Sequence, residues 1–145
     1  MKMQHNSSFA VAMAILLSAG TYAAYGQTAS ERYTVQERCG KRAEEVFKRD
    51  YSPNTQNTAE GQWTFSYENH YNERLNKCFV LYTGTLTSPG IFRTQLTLTD
   101  INENREYGQY IAATKARPLV HCIVGEARCS SEVEWRRLAK PFMEE

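Results

Sequence analysis

His70 lies in the run NHYNER, beside Asn69, Asn72, Glu73 and Arg74 and one hairpin ahead of Cys78. A histidine that takes the proton of a nearby thiol would make a base and nucleophile pair. That chemistry needs a thiolate, and a cysteine with three possible partners in an oxidising compartment is expected to end as a disulfide. The ordinary reading of His70 is a hairpin histidine, then a contact in a binding surface; catalysis with Cys78 is the alternative. A metal site would draw on His70, His121 and free cysteines, yet C-x-x-C, H-E-x-x-H and C-x-x-C-H spacings do not occur. No Gly-rich phosphate loop and no G-x-S-x-G is present. No cofactor and no metal are expected. Glu68 and Glu73 read as solvated charges at a hairpin tip rather than as an acid and base pair.

Aromatic content is the compositional feature that points beyond packing, with nine Tyr and two Trp in the chain. Trp63, Phe65 and Tyr67 alternate with polar residues and are expected to line the core. Tyr71, Tyr107 and Tyr110 are candidates for an exposed patch, since tyrosine is an adhesive residue at interfaces. With the hairpin residues His70, Asn72 and Arg74 they form the expected binding set.

The first 26 residues place Lys2 ahead of an apolar run from Phe9 to Ala19, followed by small residues. That is the pattern of a secretory signal peptide. The run is about 11 residues long, where a bilayer span takes about 20. Ala24 and Gly26 favour a cut before Gln27, with a cut after Ala23 or Ala24 as the alternatives, and no cysteine stands near it to take a lipid. The expected mature chain is residues 27–145, a single disulfide-stapled domain in the periplasm or secreted, with no stable membrane insertion. Removing Lys2 from the 17 basic residues leaves 16 against 16 acidic ones. A neutral domain is a poor match for nucleic acid or anionic lipid.

All four cysteines, Cys39, Cys78, Cys122 and Cys129, fall in this part, so two disulfides are expected. Three pairings are open. Local geometry favours Cys39 with Cys78 and Cys122 with Cys129, because VGEAR between the second pair is a short Gly-containing loop.

The elements follow from periodicity. Val35, Cys39, Ala43, Val46 and Phe47 share one helical face over Thr34 to Asp50, with Thr34 and Glu37 at capping-box spacing and Glu44–Lys48 and Glu45–Arg49 as i, i+4 pairs. Residues 51–61 read as a surface loop. Strands follow at Trp63–Tyr67, at Cys78–Tyr82, whose apolar run is continuous, at Phe92–Leu98, and at Glu106–Thr114. Ser88-Pro89-Gly90 matches a type II turn. Pro118 opens LVHCIV, a fifth strand. Ser131 and Glu134 form a second capping box before Trp135, Leu138, Ala139 and Phe142 at helical spacing, and Pro141 should end that helix near Lys140. The expected fold is α+β: an N-terminal helix, a four- to five-stranded antiparallel meander and a C-terminal helix, both helices on one face.

The phrase HYNERLNKCFVL, with CGKRAEEVFKR upstream and EWRRLAKPFMEE at the end, resembles small exported bacterial proteins of uncharacterised function. The resemblance implies export but no activity. The leading expectation is an exported, non-enzymatic module that binds a protein or cell-envelope component. The alternatives are a thiol- or metal-dependent enzyme using His70, and a structural envelope protein without a discrete ligand.

Overall fold

A computed structural model describes residues 28–113 and 119–144. The expected signal segment, Gln27, Thr114 and Pro118 lie outside the described residues. Helix α1 runs Ala29–Tyr51, strands β1 to β7 run Thr55–Thr58, Gly61–Asn72, Lys77–Ser88, Ile91–Asp100, Arg105–Ala113, His121–Val124 and Ala127–Arg128, and helix α2 runs Glu132–Met143. The strands form one sheet in chain order, every neighbour antiparallel. The α+β class and the helix–meander–helix order are as expected from the sequence, but the sheet has seven strands rather than four or five.

The extra strands are β1 and β7. The first occupies the stretch expected to be a loop. Its sequence, TQNT, carries no apolar alternation because it is an edge strand that leaves most of its side chains in water. The last is the return arm of the VGEAR hairpin, two residues long.

The helices lie on opposite faces of the sheet, which corrects the single-face arrangement. Cys78 and Val80 of β3 pack with Cys39 and Ala43 of α1, whereas Phe79 and Leu81 pack with Trp135 and Ala139 of α2. Successive strand side chains point to opposite faces. A run that is apolar at every position therefore needs cover on both sides, and Cys78–Leu81 is such a run. The α2 side holds the larger cluster, adding Leu96 and Leu98 of β4, Tyr110 of β5 and Cys122 and Val124 of β6.

Helix α1 begins one and a half turns before the expected start. Thr28 is its N-cap, accepting from the Glu31 N–H while Glu31 accepts from the Thr28 N–H, a complete capping box. Thr34, inside the helix, instead donates its hydroxyl to the Ser30 carbonyl at 2.9 Å. The Glu44–Lys48 pair forms, but Arg49 turns to Asp50 and Glu45 to Arg42. At α2, Ser131 caps Glu134 as expected, while the Glu134 carboxylate reaches back to Ser130. This helix continues through Pro141 to Met143. Its end is held from outside: Phe142 packs on Phe79 and Tyr107, and the Asn72 amide donates to the Pro141 and Phe142 carbonyls. Helix-end carbonyls lack partners within the helix, so a side chain that supplies them lets the last turn persist.

Both disulfides form in the favoured pairing, Cys39–Cys78 with 5.5 Å and Cys122–Cys129 with 5.1 Å between Cα atoms. The first fastens α1 to the central strand β3, and the second closes the β6–β7 hairpin.

Candidate functional site: the aromatic shelf and the groove along α1

Helix α1 covers one end of its sheet face and stops at Tyr51, so its last two turns stand where packing gives way to open strand surface. Phe47 and Tyr51, one turn apart, turn toward the sheet. From β2 come Trp63, Phe65 and Tyr67, and from β3 comes Tyr82, paired directly with Tyr67. Ring centroids are 4.6 Å apart for Phe47–Tyr67, 5.4 Å for Phe47–Tyr51, 4.8 Å for Tyr51–Phe65, 5.4 Å for Tyr51–Tyr82 and 5.6 Å for Trp63–Phe65. Six rings thus form one connected shelf, and each is half-buried rather than enclosed. The expectation that Trp63, Phe65 and Tyr67 line the core is corrected accordingly: they pack on one side and stay open on the other.

Gly84 makes the outer half of the shelf possible. It lies opposite Phe65 in the register, and a Cβ at this position would stand 3.1 Å from Phe65 Cε1 and 3.3 Å from Trp63 Cζ3. Without that atom both rings settle over the neighbouring strand with their planes within 4° of parallel. Farther across the same face, Gln95 pairs with Gly84, Thr97 with Tyr82 and Gln109 with Thr97. The open face therefore passes from aromatic rings to amides and hydroxyls.

Beside the shelf, a groove of about 360 Å³ runs between α1 and β4, with Arg42, Arg49 and Tyr51 on the helix side and Thr97, Thr99 and Asn104 on the sheet side. Tyr82 stands in its wall. The Tyr82 hydroxyl is buried and has no hydrogen-bond partner among the described residues. Burial, helped by the neighbouring Tyr51 and Asp50, pushes its pKa up to about 12. Burial also raises that of Tyr51. A second groove of about 370 Å³ continues along α1 over the Cys39–Cys78 disulfide, between Arg38 and Arg42 on one wall and Asn76 and Asn102 on the other.

The residues singled out in the sequence are not brought together. His70 is paired with Phe79 and Tyr71 with Cys78, and consecutive strand residues face opposite ways. His70 and Cys78 therefore lie on different faces of the sheet, Cys78 is bonded to Cys39, and the thiol and imidazole couple is not assembled. Tyr71 is 7% exposed, with its hydroxyl on Asn76 Oδ1 at 2.6 Å. Asn72 is buried and holds α2 at one end and the Leu75 N–H at the other. Tyr110 is inside the α2 cluster. Tyr107, set apart by a register shift in β5, packs edge-on against Phe79 with Lys77 and Arg105 near its ring. Arg74 is exposed in the β2–β3 turn. Tyr71, Asn72 and Tyr110 are thus fold-holding residues, and the adhesive patch expected around them does not form, because each has its polar group or ring satisfied inside. His121 is exposed at the start of β6. All four cysteines are paired, and among the described residues no three His, Cys, Asp or Glu side chains converge on a metal position.

The shelf residues that sequence reasoning missed are Phe47, Tyr51 and Tyr82. Their signal is present, Phe47 and Tyr51 at i, i+4 and Tyr82 two residues before a strand glycine, but it becomes a site only when α1 is known to lie over β2 and β3. Comparison with protein-family models, with curated proteins and with solved structures yields no match to this chain.

Proposed function

We propose that this is an exported, non-enzymatic binding module and that the aromatic shelf with its adjoining groove is where it holds a component of the cell envelope. The observation that carries the reading is the shelf itself. Six contacting rings stay half-open on a sheet face, whereas Tyr71 and Tyr110, expected at the surface, are buried. Rings that can be enclosed normally are, since each buries 150–250 Å² of apolar surface; leaving six half-open together, with Tyr51 and Tyr82 also lining the groove, favours recognition over packing. Two disulfides suit an oxidising compartment. Among the described residues no helix is long and apolar enough to cross a membrane. The signal-like N-terminus supports export. A purely structural envelope protein would need neither a concave groove nor clustered open aromatics.

The test is co-sedimentation of the mature protein with isolated cell-envelope material, comparing wild type with a Trp63→Ala, Phe65→Ala double variant and with a Thr85→Ala control on the other face. The reading expects the double variant to lose at least about tenfold in bound fraction, with the control unchanged. Equal binding by all three would overturn it.

A further inference from the structure

We propose that the ligand of this face is a carboxylate-bearing oligosaccharide, lying in the groove along α1 with its carboxylates against the helix arginines and its sugar rings against the shelf. The proposal rests on the reading of this face as the binding surface. The two grooves share Arg42 and Asn102 and so form one trough, with the Cys39–Cys78 disulfide, Ile101 and Tyr82 along its floor and sides. Arg38, Arg42 and Arg49 line it from one helix. From Arg38 to Arg49 the rise along the axis is about 16 Å, long enough to follow an extended chain rather than a single small anion.

Charge decides the class. Three guanidiniums line the trough against one carboxylate, Asp50, which Arg49 already holds at 2.6 and 2.8 Å. Arg42 pairs with Glu45 at 3.5 Å on an exposed surface, where water and salt compete. Arg38 has no ion pair among the described residues. The protein as a whole is close to neutral, with a formal charge of +1, so this excess is local. Guanidinium presents a planar fork that matches a carboxylate bidentately.

The opposite wall suits a polar neutral chain, and the parallel rings of the shelf favour a sugar over a peptide. Asn76, Asn102, Asn104, Thr97 and Thr99 offer neutral donors and acceptors in alternation, which suits rows of hydroxyls. The buried Tyr82 hydroxyl adds a donor without a protein partner at the point where trough meets shelf. The parallel Trp63 and Phe65 rings provide the apolar surface that a pyranose face packs on. An acidic peptide would use the arginines and could bond the amide wall through its backbone, but an acidic side chain has no flat apolar face to lay on the parallel Trp63 and Phe65 rings.

The experiment is calorimetric titration of the mature protein with a hexamer of galacturonic acid, its fully methyl-esterified form, and hexaglutamate, repeated on Arg42→Gln with Arg49→Gln and on Trp63→Ala. Both arginine side chains are more than half exposed, so their replacement leaves the fold intact. The expected result is binding of the acid hexamer, weakened about tenfold or more by esterification, by either set of substitutions, and by exchange of sugar for peptide. Equal affinity for acid and ester would overturn the carboxylate assignment while leaving the face as the binding surface. Hexaglutamate binding as tightly as the sugar would overturn the saccharide assignment. Loss of binding in none of the variants would overturn both the proposal and the surface reading beneath it. No binding of any probe, with envelope co-sedimentation retained, would overturn the uronate class alone.

Discussion

Tyr82 carries a polar group that the fold buries at a cost in stability. Its hydroxyl is buried without a hydrogen-bond partner among the described residues, an arrangement that costs on the order of 1–3 kcal/mol. Tyr82→Phe should therefore raise unfolding free energy by about 1 kcal/mol in denaturant titration while weakening ligand binding. The pH dependence has a definite sign. The folded pKa is raised to about 12, above the ordinary tyrosine value of about 10. The contribution is fully present below pH 10 and is lost as pH rises through 12, because the unfolded chain releases its proton first. Wild type should thus lose stability across that window more steeply than Tyr82→Phe. Asn72 is the opposite case. Its amide closes α2 and its carbonyl oxygen receives the Leu75 N–H, so Asn72→Ala should lower stability by about 2–3 kcal/mol and leave binding at the shelf intact, measured by thermal melting and by titration. The sequence could not separate these roles. Tyr71, Asn72 and Tyr82 look alike as polar residues near a hairpin. Asn72 falls on the α2 side, whereas Tyr71 and Tyr82 share the α1 side and differ only in what covers them, Tyr71 being enclosed beside Asn76 and Tyr82 standing in the groove wall.

At the scale of elements, Cys39–Cys78 joins a helix to the middle of the sheet across 39 residues, whereas Cys122–Cys129 closes a hairpin of 7. Loop-closure entropy then predicts about 4 kcal/mol lost on replacing the first pair by alanine and about 2.5 for the second. Only the first should also weaken binding, since that disulfide floors the trough. Equilibrium unfolding with parallel titration checks both statements. The existence of both helices, the Ser131 cap, the central strands, the Pro89-Gly90 turn and the Cys122–Cys129 pairing were legible because each rests on a local pattern: periodicity, a capping residue, a glycine, a short loop. The start of α1 at the Thr28 cap and the end of α2 beyond Pro141 were not. Gly90 has the positive φ of 78° that the turn requires. The edge strand β1 was not legible, because four polar residues carry no periodicity and become a strand only by pairing with Gly61–Thr64. The placement of the helices on opposite faces was legible in principle from the all-apolar Cys78–Leu81, but a helix of either hand of approach satisfies the same pattern on its own.

At the scale of the molecule, the sheet divides its work between its two faces. The α2 face encloses the larger core with Trp135 at 0% exposure, and the α1 face is covered at one end and open at the other, where Trp63 stands. The two tryptophans therefore report on the two faces separately. A neutral quencher should reach one of them and not the other, and Trp63→Ala should remove the accessible fraction. The candidate site was less legible than the fold because its residues come from three elements far apart in sequence, and each alone is explained by packing.

The binding surface we propose is the open α1 face, and not the α2 face or the hairpin around His70. Amide chemical-shift mapping on addition of solubilised cell-envelope fragments tests it most directly. The expected shifts are confined to the shelf strands at 61–67 and 82–86, the adjoining 93–99 and the second half of α1. Shifts centred on α2, or on residues 70–76 with the shelf silent, would contradict it.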